Sequence, residues 1–235
     1  MPMNIDRLTE MFGLDGKSAV VTGGSRGLGY MIAGGLLDAG CRVIISARKV
    51  EQVTAAAGQL AARGPCEAIP ADLSTPEGCE ALAAAVAERW ESLDILVNNA
   101  GASWGAKLDE YPVDGWRKVI DINLGGPFFL TQKLLGLLRA AARPDDPARV
   151  INVASVDGMK HITVNAIAPG PFDSKMMAFI LDNPKARAAL AAEVPLGRIG
   201  EPDDLAGAAV YLASRAGSYL TGATVPVGGG LACAD

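Results

Sequence analysis

A short apolar run, Ser18-Ala19-Val20-Val21, leads into Thr22-Gly23-Gly24-Ser25-Arg26-Gly27-Leu28-Gly29, and a helical pattern begins at Gly27. A strand, a glycine-rich turn and a helix start in that order restrict the chain to few folds. The glycines permit a tight reversal, and the first N–H groups of the helix have no partner within it. The spacing of Gly23, Gly27 and Gly29 lets the backbone turn, approach a ligand closely and pack the helix on a sheet, with the helix N-terminus open to a pyrophosphate. The pattern predicts a dinucleotide site at the end of the first strand.

The rest of the chain extends this unit. Strand-like apolar runs recur at Ser18–Val21, Arg42–Ser46, Glu67–Pro70, Ile95–Asn98, Val150–Ala154, Thr163–Ile167 and Thr224–Val227. Between most of them lie helical patterns at Gly27–Ala39, Val50–Arg63, Pro76–Trp90, Trp116–Ala141 and Pro202–Ala213. Two carry start signals, Ser74-Thr75-Pro76-Glu77 and Glu201-Pro202-Asp203-Asp204, with proline and acids in the first turn. The alternation predicts an α/β fold, a doubly wound parallel sheet of Rossmann type forming one domain over residues 1–235. Such a sheet binds ligands beyond the carboxyl ends of its strands, so the residues ending each run are the candidate site.

Composition narrows the partners. The 235 residues are 50% hydrophobic, enough for one sizeable core. Cys41, Cys66, Cys79 and Cys233 are widely spaced and His161 is the sole histidine, which excludes a clustered transition-metal site. No run of about 18 apolar residues occurs, and the first 17 residues carry Asp6, Arg7, Glu10 and Asp15 without an apolar core. A cytoplasmic protein is expected. A net charge of −5 without a basic block argues against nucleic acid and anionic membranes and for small-molecule partners.

The second strand ends Ile44-Ile45-Ser46-Ala47-Arg48-Lys49, without the acid that would hold an unphosphorylated adenosine ribose. Arg48 stands there instead, and Arg26 in the glycine turn could supply a second charge. Two guanidinium groups around one expected 2′-phosphate favour NADP(H) over NAD(H), against the alternative of two ordinary surface charges.

With Asn98-Asn99-Ala100-Gly101 after the fourth run, the chain resembles a short-chain dehydrogenase/reductase. The other matching pieces are the T-G-x-x-x-G-x-G pattern at Thr22–Gly29, Asp72-Leu73, Asn123, Asn152-Val153-Ala154-Ser155, Pro169-Gly170 with Ser174, and Tyr219-Leu220-Thr221-Gly222 before Gly228-Gly229. Together they span nearly the whole chain. Gly101-Ala102-Ser103-Trp104-Gly105 and Tyr111-Pro112-Val113 are most similar to the β-ketoacyl reductase branch, including rhamnolipid-type enzymes.

The resemblance implies hydride transfer between a nicotinamide and a carbonyl or alcohol carbon, reducing a ketone, such as a 3-oxoacyl thioester, to a secondary alcohol. It assigns Gly23, Ser25, Arg26, Gly27, Leu28 and Gly29 to the phosphate cradle. Asp72 would bond the adenine amine, or else cap the turn before Pro76, and Leu73 would contact the ring. Asn99, Ala100 and Gly101 would lie along the ribose, although Asn98 and Asn99 could instead tie strands together. Pro169 and Gly170 would flank the nicotinamide, with Ser174 replacing the usual threonine at its carboxamide. Ser155 would hold the substrate oxygen and Asn123 would support a water-linked proton relay. Trp104 and the segment Met176–Ile180 are candidates for the substrate pocket or for ordinary packing. The family also implies a homo-oligomer, a dimer or a tetramer.

One part of the pattern is missing. The family's Tyr-x-x-x-Lys, whose spacing puts a proton-transferring tyrosine and its lysine on one helix face, should follow Ser155 by about a dozen residues. The tyrosines are Tyr30, Tyr111, Tyr211 and Tyr219, and four positions on stand Gly34, Gly115, Arg215 and Ala223. Instead Ser155 runs through Val156-Asp157-Gly158-Met159-Lys160 into His161, where the sixth strand is expected to begin. Lys160 and His161 do not replace the pair, since neither has a helical partner one turn away.

Parallel neighbours need a crossover of about a dozen residues or more. Six steps reach roughly 20 Å, against about 23 Å needed to return along a seven-residue strand. The expectation is a sheet that cannot close here, with the crossover helix between strands five and six absent. Roughly 25 to 30 residues carrying the Tyr-x-x-x-Lys would then belong between Ser155 and His161. If the shortened chain is complete, the alternative is a non-catalytic nucleotide-binding or assembly protein.

Overall fold

The computed structural model describes residues 9, 11–144, 146–153, 162–174 and 177–231. Seven parallel strands form one sheet: β1 (Ser18–Thr22), β2 (Arg42–Ala47), β3 (Cys66–Pro70), β4 (Ile95–Asn98), β5 (Ala148–Asn152), β6 (Ile162–Pro169) and β7 (Thr224–Val227), in the order β3-β2-β1-β4-β5-β6-β7. The helices are α1 (Gly27–Asp38), α2 (Val50–Leu60), α3 (Pro76–Ala87), α4 (Val113–Ile120), α5 (Gly126–Ala141), α6 (Ala178–Leu181), α7 (Pro184–Glu193) and α8 (Pro202–Ala213).

The period-2 geometry of the strands sorts their side chains into two cores. Val21, Ile45, Val97, Ile151 and Ile167 face α1, α2 and α8, meeting Ile32, Leu36, Leu60 and Leu212. Val20, Ile44, Leu96, Val150 and Val164 face the other way, toward Leu82 and Val86 of α3 and Leu130, Leu134 and Leu138 of α5. Burying each such leucine or isoleucine stabilises by about 1.5–3 kcal/mol. Burial on both faces explains why these strands read as continuous apolar runs.

Start signals act as their chemistry dictates. Thr75 Oγ1 accepts from the Gly78 N–H at the head of α3, and Glu201 and Asp204 form a reciprocal capping box on α8. The long helix expected over Trp116–Ala141 differs: α4 and α5 are joined by a wider π turn at Asp121–Gly125. Helices α6 and α7 were not expected. The second is marked only by Asn183-Pro184, whose asparagine caps it.

At the amino-terminal edge of the sheet, Lys17 Nζ lies 2.6 Å from Asp146, and the buried Arg149 reaches Asp146 at 2.5 Å and the Ser214 carbonyl at 3.2 Å. The Ser18 N–H and Oγ both donate to Asp94. These contacts lock β1, β4 and β5 together at the end away from the glycine turn.

The expectation that the sheet cannot close is corrected. Strands β5 and β6 pair in parallel from Ala148↔Ile162 to Asn152↔Ala166. The fifth strand ends at Asn152 rather than Ala154, so the connection is residues 153–161 and spans ten steps, an extended reach of roughly 33–36 Å. Returning along five residues takes only about 13 Å. A shorter strand leaves enough chain to close the sheet without a helix.

Candidate active site

The carboxyl ends of β1 and β4 are fused by Thr22. Its Oγ1 accepts from the N–H groups of Asn99 and Ala100, both at 2.9 Å, and donates to the Val97 carbonyl at 3.2 Å. Asn99 Nδ2 donates back to the Thr22 carbonyl at 2.9 Å. Asn98 Nδ2 donates to Thr131 Oγ1 of α5 and to Asn152 Oδ1 of β5. Both asparagines therefore tie strands together, and in doing so hold Asn99-Ala100-Gly101 beside the glycine turn.

Close approach explains the glycines. A Cβ on Gly23, which has φ +67°, would come 2.7 Å from Asn99 Nδ2, and one on Gly29 would come 2.4 Å from the same atom and 2.5 Å from the Gly23 carbonyl oxygen. The turn packs down on β2, where the Gly24 N–H donates to the Ser46 carbonyl. Above it α1 starts at Gly27 with no side-chain cap and no acid in its first turn, whereas α3 and α7 are side-chain capped and the uncapped α2 and α4 carry Glu51 and Asp114 in theirs. Open N–H donors with the positive end of the helix dipole suit an external anion. Ser25 and Leu28 are half-buried in this turn, and Arg26 is exposed.

Arg48 follows β2 and is also exposed. Its charge helps hold the Asp72 carboxyl below its ordinary value, behind the larger effect of the hydrogen bond from Ser74 Oγ. Neither Arg26 nor Arg48 joins an ion pair among the described residues. Asp72 Oδ1 accepts from both the N–H and the Oγ of Ser74, so this carboxylate shapes the turn before α3. Leu73 is 5% exposed and borders, with Thr22, Asn98 and Ala100, a narrow crevice under the strand ends.

Two contacts reach across the sheet. A Cβ on Gly27 would lie 3.8 Å from Ser174 Cβ, so the loop after β6 faces the glycine turn. Pro169 ends β6, and Gly170 stacks backbone to backbone on Gly228, where an added Cβ would meet the Gly228 Cα at 2.6 Å. Gly228 thus fixes the loop after β6. The Gly228-Gly229 pair in the sequence was the available signal, but it did not reveal this partner.

Asn123 sits in the middle of the π turn. Its Oδ1 accepts from the Ala102 N–H and its Nδ2 donates to the Ala102 carbonyl, both at 2.8 Å. The extra residue of the π turn aims this side chain at the β4 loop, a distortion often found at functional sites. Each amide atom keeps one further hydrogen-bonding capacity for water. Trp104 packs on Gly115 of α4 beneath Lys118, whose Nζ is 5.0 Å from the ring centroid. Ser155, Lys160, His161 and Met176 lie outside the described residues.

Among the described residues no group of acids, cysteines or histidines could hold a metal ion, and no helix is long and apolar enough to cross a membrane. Burial pushes the Cys41 thiol up to about 12 and the Cys66 thiol up to about 11, the values of inert rather than reactive cysteines.

Residues 17–161 match the family described as short chain dehydrogenase, and residues 150–232 match the one described as enoyl-(acyl carrier protein) reductase. The chain is 46% identical to the rhamnolipids biosynthesis 3-oxoacyl-[acyl-carrier-protein] reductase of Pseudomonas aeruginosa, over 93% of this chain and 97% of that protein. It is 32% identical to a 3-oxoacyl-[acyl-carrier-protein] reductase of Vibrio cholerae, over 93% and 98%. A solved RhlG/NADP active-site complex of Pseudomonas aeruginosa superposes with a TM-score of 0.88 at 46% identity, covering 94% of this chain and 98% of that one.

The first alignment has 249 positions, more than the 235 residues available; 93% of the chain is about 219 residues, so about 30 positions face no residue here. The Vibrio alignment, 248 positions with the same share, leaves a similar number. Matches over most of its length, in sequence and in fold, make this chain a member of the short-chain dehydrogenase/reductase family.

Proposed function

We propose that these residues form the cofactor-binding body of an NADP(H)-dependent oxidoreductase that interconverts a ketone and a secondary alcohol, with a 3-oxoacyl thioester as the favoured substrate class. The observation that carries this reading is the uncapped N-terminus of α1, which opens beside Asn99 and Ala100 with Arg26 and Arg48 exposed around it. An NADP complex and a 3-oxoacyl reductase among proteins 46% identical to this chain support it.

The donor set fits the cofactor, which supplies the hydride when bound. The N–H groups of Gly27, Leu28 and Gly29 serve the pyrophosphate with Ser25 beside them, and the space that a Cβ would fill at Gly23 and Gly29 keeps the turn compact. Arg26 and Arg48 take the 2′-phosphate. Asp72 and Leu73 border the adenine, Asn99 to Gly101 the ribose, and Pro169, Gly170 and Ser174 the nicotinamide. Asn123 holds the loop at Ala102 and keeps hydrogen-bonding capacity for a relay water, and Ser155 orients the substrate oxygen.

Proton delivery falls to a Tyr-x-x-x-Lys in a segment between Ser155 and His161. The roughly 30 unfilled alignment positions support that reading. So does the length of the β5–β6 connection, residues 153–161, against 48–65 in the next shortest crossover. The whole is read as one domain, cytoplasmic and homo-oligomeric.

Calorimetric titration with NADPH and NADH, followed by NADPH oxidation with a 3-oxoacyl thioester, tests the assignment. The 235-residue chain is expected to bind NADPH at least tenfold more tightly than NADH and to turn over only when the segment is present. Equal affinities would refute the cofactor reading. An uninterrupted Ser155–His161 junction in the coding sequence, with an intact mass of 24.2 kDa, would instead favour the non-catalytic nucleotide-binding reading.

A further inference from the structure

A cleft of about 510 Å³ opens at the amino ends of β2 and β3, the end of the sheet opposite the glycine turn, and its lining includes Arg42, Val43, Pro65, Cys66, Glu67 and Trp90. A volume of this order suits a small organic molecule. From Arg42 in the cleft, β2 climbs roughly 16 Å to Ala47 before the chain reaches Arg48 on the nucleotide side.

The walls are held by backbone bonds. The Arg42 N–H donates to the Lys17 carbonyl at 2.9 Å and the Val43 N–H to the Pro65 carbonyl at 2.8 Å, while Val43 and Cys66 are in register across β2 and β3. Trp90 is only 6% exposed and belongs to the core on the α3 face, which fixes its ring. Arg42 lies over that ring with its Cζ 4.9 Å from the centroid, yet the residue stays exposed. Stacking orders the guanidinium through its face and leaves its in-plane N–H donors for another group.

Charge decides what that group is. Among the described residues Arg42 joins no ion pair. Glu67, the acid of the lining, is engaged by Arg89, whose Nε is 3.0 Å from its carboxylate. The Cys66 thiol, pushed up mainly by burial, stays neutral and acts as an apolar wall. The cleft thus presents one uncompensated cation beside the apolar surfaces of Pro65, Cys66 and Trp90. An exposed ion pair ordinarily gains little because two mobile side chains must be ordered, but Arg42 is ordered in advance by the ring beneath it. Its fork of donors matches a carboxylate.

We propose that the Arg42–Trp90 cleft binds an amphipathic monocarboxylate, with the carboxylate on the Arg42 guanidinium and the hydrocarbon body against Pro65, Cys66 and Trp90. Strands β1 and β4 separate this cleft from β5 and β6, so the site depends neither on the cofactor nor on the connection after β5.

Octanoate is the probe, titrated by calorimetry and followed by nuclear magnetic resonance. The expected result is saturable binding at one site, with shifts at the Gly64, Cys66 and Glu67 amides and the Trp90 indole N–H and none at Gly27, Leu28 or Gly29. Octanol, which lacks the charge, and acetate, which lacks the body, should each bind about tenfold or more weakly, and these comparisons need no variant. Arg42→Leu keeps an apolar side chain beside Trp90 without the cation. It should weaken octanoate binding about tenfold or more while circular dichroism and Tm report an intact fold. Absent binding, equal binding of octanol or acetate, shifts centred on the glycine turn, or a folded Arg42→Leu chain that binds octanoate unchanged overturns the proposal.

Discussion

Gly29→Ala tests whether the glycine turn is set by close packing rather than by flexibility. The new Cβ would lie 2.4 Å from Asn99 Nδ2 and 2.5 Å from the Gly23 carbonyl oxygen, both far inside contact distance. Gly23 is backbone in a turn pinned to β2, and Asn99 is held by its bond to the Thr22 carbonyl, so neither can retreat alone. Overpacking costs about 1–3 kcal/mol and a broken, partly buried hydrogen bond about 1–3 more, while Ala in place of Gly in a helix returns about 1. The net loss is about 1–5 kcal/mol. A mid-range value of about 3 lowers Tm by roughly 6–12 °C for a chain of this size.

Thermal unfolding gives the first readout, and NADPH titration, expected to weaken at least tenfold, gives the second. Gly136→Ala is the control: it lies inside α5 with nothing within 4 Å of its Cβ, so it should stabilise by about 0.5–1 kcal/mol. If both substitutions stabilise and Gly29→Ala binds NADPH as before, the close-packing argument fails.

Replacing Arg48 by Asp should weaken NADPH binding roughly 10- to 100-fold, the worth of a charge-assisted hydrogen bond, and leave NADH affinity nearly unchanged, as measured by calorimetry. Burial pushes the Asp146 carboxyl up, but hydrogen bonds from Lys17 and Arg149 outweigh it and hold it below its ordinary 3.8. Its contribution is therefore complete above the unfolded value and is lost as pH falls through the lower folded one. Asp146→Asn should flatten that acid limb in urea titrations below about pH 4 and cost about 3 kcal/mol at neutral pH, because Arg149 is left buried without its carboxylate. Asn123→Ala should loosen the loop at Ala102, seen as faster amide exchange there, with Tm lower by only a few degrees. Under native conditions at pH 8, Cys41 should react with a thiol reagent only as the chain unfolds; rapid labelling would contradict its burial.

Much of the fold follows from local periodicity. Ile95–Asn98, Thr224–Val227 and Pro202–Ala213 have the expected bounds, because their patterns end at residues that cannot continue the element. The fifth strand was placed two residues late: the apolar run was read as Val150–Ala154, whereas β5 spans Ala148–Asn152 and takes in the polar-flanked Ala148-Arg149. That small shift changed the conclusion about closure. The π turn was invisible because Asp121–Gly125 keeps a helical pattern, and the widening shows only in where Asn123 points.

Taken alone, the sequence determined a parallel α/β sheet, a glycine-rich turn between the first strand and its helix, an arginine rather than an acid after the second strand, and the lack of a Tyr-x-x-x-Lys. These depend on residue type and short spacing, which a linear chain displays directly. The tertiary structure alone decided that Asn98 would clamp Thr131 and Asn152, 33 and 54 residues away, that Ser174 would face Gly27, and that Arg42 would stack on Trp90. Those pairings arise from strand order and helix rotation, which bring distant residues within a few ångströms, and no local pattern encodes which distant neighbour a side chain meets.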